Sequence, residues 1–83
     1  MDKILIEVRV PAMNTSYDVF VPQISPMYEV LELVKRAINT LAGGQYSATA
    51  TSVLCFARTG SIVNINLSVH ELGLRNGSKL MLI

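Results

Sequence analysis

Two side chains in this sequence carry reactive groups that occur once each, the thiol of Cys55 and the imidazole of His70. A catalytic cysteine needs a neighbouring base or a positive field to hold it as thiolate. Cys55 stands between Leu54 and Phe56 in an apolar run, and His70 belongs to a different segment, so packing is the expected role of the thiol. No second His or Cys stands at metal-ligand spacing, and no zinc or other metal site is expected. His70 is followed by Glu71, which invites an acid/base reading. However, Ser68-Val69-His70-Glu71 has the Ser-x-x-Glu pattern of a capping box. That role accounts for Glu71 and leaves His70 as a solvated residue on a short turn. The carboxylates Asp18, Glu29, Glu32 and Glu71 follow the outer faces of the elements that carry them rather than pairing for hydrolysis. Gly43-Gly44 lacks the Lys-Ser/Thr of a phosphate-binding loop. These residues point to no catalytic site and no cofactor, and the chain is expected not to be an enzyme.

The totals agree with a small binding domain. Eighty-three residues make one domain, 1–83, and 51% of them are hydrophobic against 16% charged. That apolar fraction excludes a disordered tail, while no run approaches the roughly 20 apolar residues of a membrane span. Lys3, Glu7 and Arg9 interrupt the opening stretch, so it has no secretory h-region. A single cysteine allows no internal disulfide and favours a reducing compartment, so the expected location is cytoplasmic. Seven Lys+Arg balance six Asp+Glu, and the basic residues are scattered without aromatic interleaving. Nucleic acid is therefore not an expected partner.

The elements follow from periodicity and punctuation. Ile4, Ile6, Val8 and Val10 alternate with Lys3, Leu5, Glu7 and Arg9, which predicts a half-buried strand ended by Pro11. Residues 13–16 supply a turn into a second alternating run, 17–21, closed by Pro22; together they read as a hairpin. Ser25 is a candidate helix cap with Pro26 at the first helical position. Met27, Val30, Leu31, Val34, Ile38 and Leu41 then form an apolar stripe, with Glu32 and Arg36 a supporting pair on the other side. Gly43-Gly44 ends the helix, and 44–52 is small and polar, a surface loop. A third strand is predicted at 53–57, a short fourth at 62–65 after a turn at Thr59-Gly60, and a fifth at 79–83. A short helical turn near 68–72 and a tight turn at Asn76-Gly77 lie between the last two. The expected class is α+β: a mixed sheet of about five strands with one main helix packed on one face.

This order resembles ubiquitin over nearly the whole chain, best in the second strand ending in proline before the helix and in the Leu67-Ser68 step before the last strand. A ubiquitin-like β-grasp fold is what the resemblance implies. Ubiquitin works through a Gly-Gly tail beyond its last strand; this sequence stops at Ile83, inside that strand, and Gly43-Gly44 is internal. A closer resemblance is to the YukD/EsaB family, tail-less ubiquitin-like cytosolic accessory proteins of type VII secretion in Gram-positive bacteria. It is carried by Ser16-Tyr17-Asp18-Val19-Phe20-Val21-Pro22, by Ser25-Pro26 with the apolar helix, and by the ending from Leu72 to Leu80. That family has no catalytic residues to carry over. The implied role is that of an accessory or regulatory module acting through protein contacts, with the cytosolic part of a membrane-embedded secretion complex as partner. It would sit peripherally at the inner face of the membrane through such partners, without inserting. A modifier or sulfur carrier whose tail has been cut away is the alternative, as is a regulatory β-grasp domain taken from a larger signalling protein.

In the β-grasp order the third and fifth strands are neighbours. If Leu54 and Phe56 face the helix, Cys55 and Ala57 turn outward; if Leu80 and Leu82 face inward, Met81 and Ile83 turn outward. Cys55, Ala57, Met81 and Ile83 are thus expected to form one exposed apolar patch on the sheet face that ubiquitin uses for binding, and such a patch marks a partner site. Leu5 and Phe20 also face away from the expected core, where they would extend the patch or be buried under a second copy in a homodimer.

Overall fold

Strict alternation gives the opening segment one apolar edge, and that edge becomes the floor of the core. In the computed structural model, which describes residues 2–83, strand β1 runs Lys3–Val10 with Ile4, Ile6, Val8 and Val10 all buried. Strand β2 (Thr15–Pro22) pairs with it antiparallel, in unbroken register from Lys3 opposite Pro22 to Val10 opposite Thr15. The turn between them is tighter than the sequence suggested. Pro11–Met13 form one 3₁₀ turn, and Asn14 closes it at φ 51°, a left-handed conformation that asparagine tolerates.

The main helix, α1 (Met27–Leu41), buries Met27, Val30, Val34 and Ile38 against one sheet face. Leu31 packs at the margin of this core. Leu41 shares the angular position of the stripe but lies in the last turn and is exposed, while the following Ala42 is buried. Ser25 is not the cap. Pro26 takes that position without a side-chain hydrogen bond. The first free N–H groups are satisfied from a distant segment instead: Met27 N–H donates to the Leu67 carbonyl at 2.8 Å and Tyr28 N–H to that of Ile65 at 3.0 Å. Val69 N–H and His70 N–H return bonds to the carbonyls of Ser25 and Gln23. The chain leaves the helix as expected, with Gly43 and Gly44 at φ 61° and 88°.

The expected loop 44–52 is fastened rather than free. Ala48 N–H donates to the Asn39 Oδ1 on the helix, Ser52 is buried, and Tyr46 and Ala48 pack on the core. Strand β3 (Leu54–Phe56) follows, and β4 (Lys79–Leu82) ends the sheet. The order is β2-β1-β4-β3, with β1 and β4 parallel and the other pairs antiparallel. This is the ubiquitin-like β-grasp arrangement in four strands, not five. The segment expected as a fourth strand at 62–65 makes only an isolated bridge between Ile62 and Cys55. Asn64 explains the shortfall: its Oδ1 accepts Asn66 N–H and its carbonyl accepts Leu67 N–H, so a local turn takes the groups a strand would need.

The capping box forms as the sequence predicted. Glu71 N–H donates to Ser68 Oγ at 3.0 Å, and Ser68 N–H to Glu71 Oε1 at 2.9 Å. Leu72 N–H reaches the Ser68 carbonyl, completing one helical turn. No buried side-chain N or O among the described residues lacks a partner. No helix is long and apolar enough to cross a membrane among those residues.

Candidate functional site

Register decides which side chains share the sheet face opposite the helix. Val8 neighbours Leu80, and Leu54 is opposite Leu82, all four buried in the core. The intervening residues therefore line the outer face. One row across it reads Ser16, Arg9, Met81, Cys55; the next reads Asp18, Glu7, Lys79. Ala57 N–H donates to the Lys79 carbonyl, which places Ala57 at the end of that second row. Ile83 exchanges two backbone hydrogen bonds with Val53, at 2.8 and 3.0 Å, and so extends the β3–β4 pairing by one more position.

The four expected site residues thus fall on one face, but they do not make the surface that alternation implies. Ile83 is 54% exposed, and Met81 and Ala57 are half-buried. Cys55 is 1% exposed, so it is not part of an exposed patch. It is flanked by Met81 across the β3–β4 pairing and by Ile62 across the isolated bridge on its other side, and its short side chain lies between these longer ones. Ile62 is itself well exposed and supplies the apolar surface that Cys55 does not. The turn at Thr59-Gly60 was the signal in the sequence, since it folds Ile62 back against β3, and the bridge fixes Cys55 as its partner.

Leu5 and Phe20 are directly opposite one another on the same face, and Phe20 is 64% exposed. They do not extend the Met81 patch. Leu5 lies four positions along β1 from Arg9, the neighbour of Met81, which is roughly 13 Å of strand, and the charged row lies between. The outer face therefore holds two apolar islands divided by Asp18, Glu7 and Lys79.

The groups that suggested chemistry are kept apart. Cys55 is on β3, at one edge of the sheet. His70 is held by its N–H on the carbonyl of Gln23, just beyond the end of β2 at the opposite edge. Three inter-strand spacings separate those edges, roughly 14 Å. Among the described residues no three His, Cys, Asp or Glu side chains are grouped to hold a metal ion. Glu32 pairs with Lys35 at 3.1 Å rather than with Arg36, and this is the one ion pair among the described residues.

Two features were not legible in the sequence. Asn76 is more than a turn former: its Oδ1 accepts Leu5 N–H at 2.8 Å, and Gly77 N–H donates to the Leu5 carbonyl. The turn thereby continues the β1–β4 pairing beyond β4. Next to it, Phe56, Ala57, Arg58, Leu74, Ser78 and Lys79 enclose a shallow hollow of about 500 Å³ between the end of β3 and the turn before β4. Arg58 and Lys79 are distant in sequence and meet only because β3 and β4 pair.

No protein-family model matches the sequence, and no curated protein matches it. Solved structures do. The ubiquitin-like domain of the Mycobacterium tuberculosis type VII secretion system protein ECCD1 aligns with 100% of this chain and 99% of its own, at TM-score 0.78 and 14% identity. The EccD5 ubiquitin-like domain from Mycobacterium xenopi aligns with 100% of this chain and 94% of its own, at TM-score 0.71 and 17% identity. A chain of the MycP5-free ESX-5 inner membrane complex matches all of this chain with 21% of its own length, at TM-score 0.71 and 18% identity. At such identities the likeness establishes the ubiquitin-like fold, and function has to be argued from the surface.

Proposed function

We propose that this chain is a non-catalytic ubiquitin-like interaction module of a Gram-positive type VII secretion system, an accessory or regulatory component of the YukD/EsaB kind. It acts in the cytoplasm by docking on the cytosolic part of the membrane-embedded complex. The observation that carries the reading is the alignment of the whole chain with ubiquitin-like domains of secretion proteins, which agrees with the YukD/EsaB-like stretches at 16–22 and 72–80. The contact surface is the outer face at Met81, Ile83 and Ala57, with Ile62 beside them and Cys55 as a buried support beneath. Affinity recovery from cytosol and detergent-solubilised membranes, read by mass spectrometry, tests it. Enrichment of a secretion component, lost with Met81→Asp, supports the reading. Recovery that Met81→Asp leaves unchanged removes this surface from the proposal.

One observation favours a second reading. In the ESX-5 complex the matching domain is 21% of a longer chain. A ubiquitin-like domain within a larger secretion or signalling protein would present the same surface. The intact mass of the native gene product separates the two, and a mass extended by a Gly-Gly tail would support a modifier or sulfur carrier instead.

A further inference from the structure

The hollow between β3 and β4 has a chemical character of its own. Its floor is apolar, made by the half-buried Phe56 and Leu74 with Ala57. Its polar lining consists of hydrogen-bond donors. The Arg58 guanidinium and the Lys79 ammonium are exposed, and neither has a carboxylate within ion-pair distance among the described residues. The Ser78 Oγ accepts Arg75 N–H at 2.9 Å, and its own proton has no acceptor among the described residues. Two unpaired cations and a free hydroxyl over an apolar floor are complementary to an anion attached to an apolar group. The charged row sets a direction as well. Glu7 and Asp18 lie on the β1–β2 side of Lys79, so a negative occupant is repelled there and directed toward Arg58.

We infer that this hollow docks an acidic segment of a protein partner, with a carboxylate reaching Arg58 and Lys79 and an adjacent apolar side chain covering Phe56 and Leu74. The inference rests on the reading of the chain as a protein-interaction module and adds the chemistry of the partner. Its test uses no secretion component, so the two can fail separately. A panel of acetylated hexapeptides in which Glu or Asp flanks Leu, Phe or Trp is titrated into the isotope-labelled chain and followed by backbone amide NMR. Expected are saturable shifts confined to residues 56–58 and 74–79. These weaken about tenfold in Arg58→Glu/Lys79→Glu, whose spectrum elsewhere is unchanged, and vanish when the acids are replaced by Gln and Asn. Four results would overturn the inference: no saturable shift with any member, equal shifts with the amide peptides, shifts centred elsewhere, or inorganic phosphate or oligo-dT competing as well as the peptides.

Discussion

A thiol flanked by two longer side chains needs no covering element to be shielded, and Cys55 is such a case. Strand alternation assigns it to the outer face, while Met81 and Ile62 on either side remove it from solvent. Its alkylation by iodoacetamide should therefore proceed through opening of the fold. The rate in native buffer is expected to be on the order of 1,000-fold below that in denaturant. Similar rates in the two conditions would mean that the side chain is accessible after all. Gly43 makes the opposite point, a residue whose role is conformational. A Cβ there would meet no atom within 4 Å, yet the backbone sits at φ 61°. Gly43→Ala should cost about 1 kcal/mol in a urea titration, from the left-handed conformation alone. A variant as stable as the parent would show that the helix end relaxes to another geometry at no cost.

At the scale of elements, two segments without strand or helix of their own hold the structure together. Residues 65–70 satisfy the start of α1 and bond back to 23–25, which replaces the side-chain cap that Ser25 was expected to provide. The turn at 76–77 serves β1 in the same way, through Asn76 Oδ1 and Gly77 N–H. Removing that acceptor leaves Leu5 N–H to water. Asn76→Ala should destabilise by about 1 kcal/mol and speed exchange of the Leu5 amide, while Asn76→Asp, which keeps an acceptor oxygen, should retain the protection. Unchanged Leu5 exchange in the alanine variant would show that the bond contributes nothing to the pairing.

For the molecule as a whole, the helix leaves one side of the sheet as free surface, and that surface is divided. Apolar residues stand at two corners, Phe20 with Leu5 and Ile83 with Met81 and Ile62, and a charged row crosses between them. Such a face suits partners that contact one island and read the charges beside it. Met81→Asp places a carboxylate in the row next to Arg9, not in the core. Thermal and urea unfolding should lower its stability by no more than about 1 kcal/mol, with partner recovery lost. If the variant loses its folded spectrum, Met81 is part of the packing and the recovery assay must instead use Ile83→Asp at the exposed end of the same strand.

The sequence by itself determined the elements whose causes are local. The alternation of β1 and β2, the apolar stripe of α1 from Met27 to Ile38, the glycines after it and the Ser68–Glu71 box all act within a few residues, and all form. With the order of elements they were enough to imply an α+β domain, and the resemblance to ubiquitin implied the β-grasp. Tertiary structure decided what depends on neighbours distant along the chain. The 62–65 segment had strand composition, but Asn64 could satisfy its backbone locally, and contact with β3 stopped at the Ile62 bridge and the bond from Val63 N–H to the Leu54 carbonyl. Exposure on the outer face was likewise undecided, because period two states which face a side chain takes and not what stands beside it there. Cys55 lost its exposure to flanking residues for that reason. Arg58 and Lys79 came to line one hollow for the same reason, when two strands met.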